Sequence, residues 1–112
     1  MKIILLILTF ILLPFLGICQ GTWTQELNFP DSGRSMALTT TVGDTGFMFM
    51  GYKGGSFSYA TWLYDHSANS WTQKAPFPGT WRTGAFVFAL NGNIFIGCGT
   101  DFNGSNCKND VW

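Results

Sequence analysis

The stretch Trp71-Thr72-Gln73-Lys74-Ala75-Pro76-Phe77-Pro78-Gly79-Thr80-Trp81-Arg82 repeats an earlier one. Forty-eight positions back the chain reads Trp23-Thr24-Gln25-Glu26-Leu27-Asn28-Phe29-Pro30-Asp31-Ser32-Gly33-Arg34, a period of 48 residues. Trp, Thr, Gln, Phe, Pro and Arg coincide, and Ala37 then meets Ala85. Self-similarity at such a period is the signature of a repeat architecture, in which each unit hides its apolar face against a neighbour.

Outward from this repeat, both copies carry the same order of segments. In the first, Arg34 precedes the Thr-rich apolar run Met36 to Val42; Gly43-Asp44-Thr45-Gly46 is a turn, and Phe47 to Met50 returns. Gly51 to Gly55 breaks that strand. Thr61 to Tyr64, the turn Asp65 to Ser70 and the strand Trp71 to Gln73 follow. In the second copy, Arg82 precedes Phe86 to Leu90, Asn91-Gly92 turns the chain, and Ile94 to Ile96 returns before Gly97-Cys98-Gly99. Asn-Gly between apolar runs is a strong hairpin signal, because both residues accept positive φ. A polar loop from Thr100 to Asn109 then leads to Asp110-Val111-Trp112, which matches Ala60-Thr61-Trp62.

Phe86 to Leu90 and Phe47 to Met50 are apolar on both faces, so each requires cover from two sides. The links between strands are of hairpin length, which makes the sheets antiparallel rather than helix-covered and parallel. Small antiparallel sheets stacked at 40–50 residues per unit are the blades of a propeller. The expected fold is therefore all-β, with four-stranded blades in an incomplete propeller. A sandwich or barrel would show clearer inside/outside alternation.

The first 20 residues read as a secretory signal peptide: Lys2, an apolar run from Ile3, then Gly17 and Cys19 at the −3 and −1 positions of a cut before Gln20. An uncleaved membrane anchor and a lipoprotein acylated at Cys19 are the alternatives; the run is short for a spanning helix, which needs about 20 residues. The expected location is extracellular or periplasmic, with the membrane involved only through an uncleaved leader. The remaining chain divides into 21–33, a strand-like piece with a loop; 34–81, one complete unit; and 82–112, a second, truncated unit.

Six basic and six acidic residues give the whole chain zero net charge, and without Lys2 the balance is near −1. Such a chain has no field with which to attract a polyanion, so nucleic acid is not the expected partner. Cys98 and Cys107 lie nine apart, and the spacing leaves open either a disulfide, worth on the order of 2–3 kcal/mol, or Cys98 as a small buried residue with Cys107 exposed. One histidine and these two cysteines lack zinc-ligand spacing. No paired carboxylates, nucleophile motif or phosphate-cradling loop is present, so no catalytic, metal or cofactor residue is assigned. His66 reads as a solvated turn residue, Tyr52 and Tyr59 as loop residues, and Asn103-Gly104-Ser105 as an exposed loop that is also a glycosylation sequon. Arg34 and Arg82 have two readings: anion holders in a channel, or salt-bridged anchors of a loop.

These residues resemble kelch repeats, the blades of galactose-oxidase-like propellers. That pattern places an Arg before the first strand, a glycine pair after the second, Tyr-Asp after the third and a Trp opening the fourth. Here those are Arg34, Gly54-Gly55 with Gly51 at the strand end, Tyr64-Asp65 and Trp71; the second unit offers Arg82, Gly97 and Gly99, with Trp112 at the position of Trp62. The resemblance covers everything after the leader and departs from the pattern in its glycine pairs. It implies that Trp23-Thr24-Gln25 closes the last blade as its outer strand and that more blades follow residue 112. Functionally it implies an exported protein- or glycan-binding or adhesion module. The alternative is the N-terminal blades of a secreted carbohydrate-active enzyme, a galactose-oxidase-like oxidase or a sialic-acid mutarotase, with its active site in other blades.

Overall fold

The computed structural model describes residues 21–112, and the expected leader, Cys19 included, lies outside them. Among the described residues the chain is all-β with no helix. In chain order the strands are β1 (Leu38–Val42), β2 (Thr45–Phe49), β3 (Tyr52–Lys53), β4 (Ser56–Phe57), β5 (Thr61–Asp65), β6 (Ser70–Lys74), β7 (Phe86–Leu90) and β8 (Asn93–Gly97). The first unit forms a four-stranded antiparallel sheet in the order β1-β2-β5-β6, with β3–β4 as a hairpin beside it. β7 and β8 form the sheet of the second unit.

The local chemistry accounts for the turns. Asn91 and Gly92 take φ of 52° and 79°, the doubly positive turn that suits the twist of a two-residue hairpin. In the β5–β6 turn, Asp65 Oδ1 accepts the Ala68 N–H at 3.0 Å, and Asn69 sits at a φ of 44°. Short polar side chains bonding their own backbone stabilise such a reversal.

Register sorts the side chains. Leu38 faces Phe49 and Thr40 faces Phe47 across β1 and β2, so these four share one face. On β7 and β8, Val87 opposes Ile96 and Ala89 opposes Ile94. The two faces pack with β7 against β1. The core is Phe49, Met50, Phe77, Trp81 and Ile96, with Leu38, Phe47, Ala85, Val87 and Ile94 against it. Each large apolar side chain fully buried there contributes about 1.5–3 kcal/mol. On the other side of β7, Phe86, Phe88 and Leu90 point outward at 38%, 46% and 56% exposure. One period earlier their counterparts are Leu38, Thr40 and Val42, on the face the second unit covers.

The backbone repeats with the sequence. Ser35 and Tyr52 exchange N–H···O bonds of 3.0 and 2.8 Å; Thr83 and Thr100, each 48 positions on, exchange two of 2.9 Å. Met50 and Cys98 share a left-handed φ of 55° and 56°, and each N–H bonds across to the third-strand segment, Met50 to Ala60 O and Cys98 to Asp110 O. The chain at 110–112 therefore lies against β8 as expected, with Trp112 and Ile96 exchanging bonds of 2.9 and 3.0 Å.

Thr22–Gln25 forms no strand among the described residues, and Trp23 is wholly exposed; the last blade, its expected partner, is not among those residues. A strand requires a ladder partner, and no described segment pairs with this one. The segment is instead tied to the outer strands: Leu27 N–H donates to Asn69 Oδ1 (3.0 Å), and Trp71 Nε1–H donates to Leu27 O (3.1 Å). Phe29 stands edge-on to both Trp62 and Trp71, with centroids at 5.3 and 5.1 Å. Gly54-Gly55, downstream of the second strand, form the turn of the β3–β4 hairpin, at φ of 53° and 88°. The strand ends are Met50-Gly51 and Cys98-Gly99. A Cβ at Gly51 would sit 3.0 Å from Ser35 O, and one at Gly99 2.8 Å from Thr83 O, the same approach in both units. Gly97 is earlier still, at the end of β8, where a Cβ would run into the Phe86 ring.

Candidate functional site

The two arginines come first because the repeat singles them out. Arg34 Nη1 donates to Met50 O at 3.0 Å and to Ser58 Oγ at 3.2 Å, while Nη2 binds the Asp31 carboxylate. Arg82 Nη1 donates to Cys98 O at 3.1 Å, one period from Met50 O, and both of its Nη groups grip Asp110. Its Nε–H donates to Thr80 O at 3.1 Å. Each guanidinium lies over a ring, Arg34 over Phe29 at 4.9 Å and Arg82 over Phe77 at 5.4 Å. Arg34 is 2% exposed and Arg82 wholly buried, so neither faces solvent to hold a free anion. They act as loop anchors, the second of the two readings.

Electrostatics follow from these contacts. Asp110 is held far below the ordinary carboxylate range by the bonds from Arg82 and then from Trp112 Nε1–H at 2.8 Å. Asp31 is lowered by its bonds with Lys53 Nζ, 2.8 Å from each oxygen, and with the Ser32 N–H. Arg82 is pushed up by Asp110. Tyr64, whose hydroxyl lies 3.2 Å from Glu26 Oε2 and 3.0 Å from Asn69 Oδ1, is raised by burial and by the Glu26 charge.

The other residues singled out by sequence are dispersed. Trp62, Tyr64 and Trp71 line the outer strands, Asp65 serves the turn, and His66 is exposed beside it. Cys98 and Cys107 are exposed free thiols in this structure. Among the described residues no three His, Cys, Asp or Glu side chains gather to hold a metal ion.

A different cluster does converge, and sequence reasoning missed it. Phe57 from the β3–β4 hairpin packs on Trp81 at 4.4 Å between centroids; Phe102, from the loop after β8, lies 5.8 Å from Phe57 and 5.3 Å from Tyr52. Trp81 is buried and its Nε1–H donates to Gly51 O at 3.1 Å, which sets the rings against the strand end. Phe57, Tyr59 and Phe102 remain 46%, 44% and 48% exposed. They open on a groove of about 350 Å³, completed by Thr80, Asp101, Asn103 and Lys108. Its far wall is tied to itself: Asp101 Oδ1 accepts the Ser105 N–H (3.1 Å), Gly104 N–H donates to Asp101 O (3.1 Å), and Lys108 N–H donates to Gly99 O (2.8 Å). The wall is thus preformed.

One signal would have found it. Stepped by one period, Phe57 falls on Ser105, Tyr59 on Cys107, Trp81 on Gly33 and Phe102 on Gly54. The groove is built from aromatic residues that the repeat itself does not ask for. No protein-family model matches the chain. No curated protein matches it either.

Proposed function

We propose that the two units are kelch-type blades of a β-propeller in an exported protein, and that this part of the protein is a binding or adhesion module rather than a site of catalysis. The observation that carries the reading is the recurrence, 48 residues apart, of one buried arginine clamped to the carbonyl of a left-handed residue at the end of the second strand. The strand order of the first sheet and the stacking of the second against it support the same reading. In a propeller the outward row Phe86, Phe88 and Leu90 is the surface the next blade covers. The binding role rests on the groove, where exposed aromatic rings and polar groups from both units meet away from the repeat signature.

Two measurements test this. Small-angle scattering of the exported gene product should give a flat disc with a central channel, and the mature chain should begin near Gln20. An elongated particle would remove the propeller. Retention of a ligand on immobilised chain, lost on replacing Tyr59 and Phe102 by Ala, supports the binding role; retention of nothing from arrays of glycans and of surface proteins overturns it.

A further inference from the structure

We propose that the groove between the β3–β4 hairpin and the 101–108 loop is a saccharide site, taking one or two rings of an uncharged glycan against Tyr59 and Phe102. The inference rests on the binding-module reading and names its ligand. Aromatic ring faces carry partial negative charge, which suits the polarised C–H bonds on the flat side of a pyranose. Around the rings stand an amide (Asn103), an ammonium (Lys108), a hydroxyl (Thr80) and a carboxylate (Asp101), so donors and acceptors are both at hand for sugar hydroxyls. Lys108 takes part in none of the ion pairs among the described residues. Opposite charges on Asp101 and Lys108 cancel, which favours a neutral ligand over a polyanion. At about 350 Å³ the groove is at the lower end of small-molecule sites, which span about 300–1,000 Å³. A peptide adding itself as a strand would need a long free edge, and β3 and β4 are two residues each. The self-bonded 101–108 loop keeps the wall in place before a ligand arrives, so little ordering entropy remains to be lost.

The test is titration calorimetry and affinity electrophoresis of this chain with cello-, xylo-, manno-, laminari- and N-acetylglucosamine oligomers. At least one should bind saturably. Phe102→Ala should weaken that binding at least about tenfold, and Asn103→Ala, which removes one exposed amide, about threefold to tenfold. Phe88→Ser, on the outward face of β7, should leave it unchanged. Asn103→Ala keeps the test decisive if Phe102→Ala unfolds. Saccharide binding that survives both groove variants would place the site elsewhere and overturn the proposal. Binding of peptides but of no saccharide, lost in the same variants, would also overturn it while leaving the module reading intact. No binding of either class removes both.

Discussion

The two arginine clamps are built to one plan and held by different means. Both donate Nη1 to the carbonyl of a left-handed residue at a strand end. Arg34 takes its carboxylate from three residues upstream, and Asp31 divides itself between Arg34 and Lys53. Arg82 takes its carboxylate from 28 residues downstream, and Asp110 gives both oxygens to it. The first clamp closes a local loop. The second ties the return of a long loop to the start of its own unit, so its loss should release more structure.

Substitution by a residue of similar length should break the symmetry. Arg82→Met takes the guanidinium from the Thr80 and Cys98 carbonyls and leaves Asp110 with only the Trp112 Nε1–H, and should lower the melting temperature by on the order of 10 °C. Arg34→Met should cost clearly less, since Asp31 keeps Lys53 and Arg34 Nε is already without a partner. Equal losses in thermal melts would refute the distinction. Next in size, Gly99→Ala meets both a positive φ and a carbonyl at 2.8 Å, and should destabilise by roughly 2 kcal/mol. Gly51→Ala, with its nearest carbonyl at 3.0 Å, should cost somewhat less in denaturant titration.

Acid sharpens the comparison further. Both carboxylates are depressed in the folded chain, so each contributes stability that is complete above the unfolded value of about 3.9 and fades as pH falls through the folded value. Asp110 is the more strongly lowered, so Asp110→Asn should flatten the decline in stability below about pH 4 more than Asp31→Asn does. Smallest is a gain. Cys98 is exposed at a left-handed φ, so Cys98→Gly should stabilise by up to about 1 kcal/mol, whereas Met50→Gly, at the matching position, empties a wholly buried site and should destabilise. A loss of stability on Cys98→Gly would mean that the thiol, not the backbone, matters there.

Much of this architecture was legible because it is encoded locally and twice. The Asn91-Gly92 hairpin, the Asp65 turn and the two arginines all declare themselves through residues whose chemistry demands that conformation. Thr22–Gln25 has no ladder partner among the described residues, and a strand exists only beside one, so its pairing is not legible from this stretch alone. The left-handed backbone of Met50 and Cys98 was not legible, because their side chains disfavour that conformation and composition does not announce it. The groove joins Phe57 from the β3–β4 hairpin, Trp81 and Phe102, three separate stretches, and no window of sequence contains them all. Only their failure to recur one period away marks them.

Trp81 has a use of a different kind. Of five indoles it is the one sealed into the seam between the units, at 6% exposure, with Trp23 fully in water at the opposite extreme. Its emission should therefore lie to the blue of Trp23 and shift red as soon as the seam parts. In a variant whose other four tryptophans are replaced by phenylalanine, light from this one side chain would report whether the two sheets are still in contact.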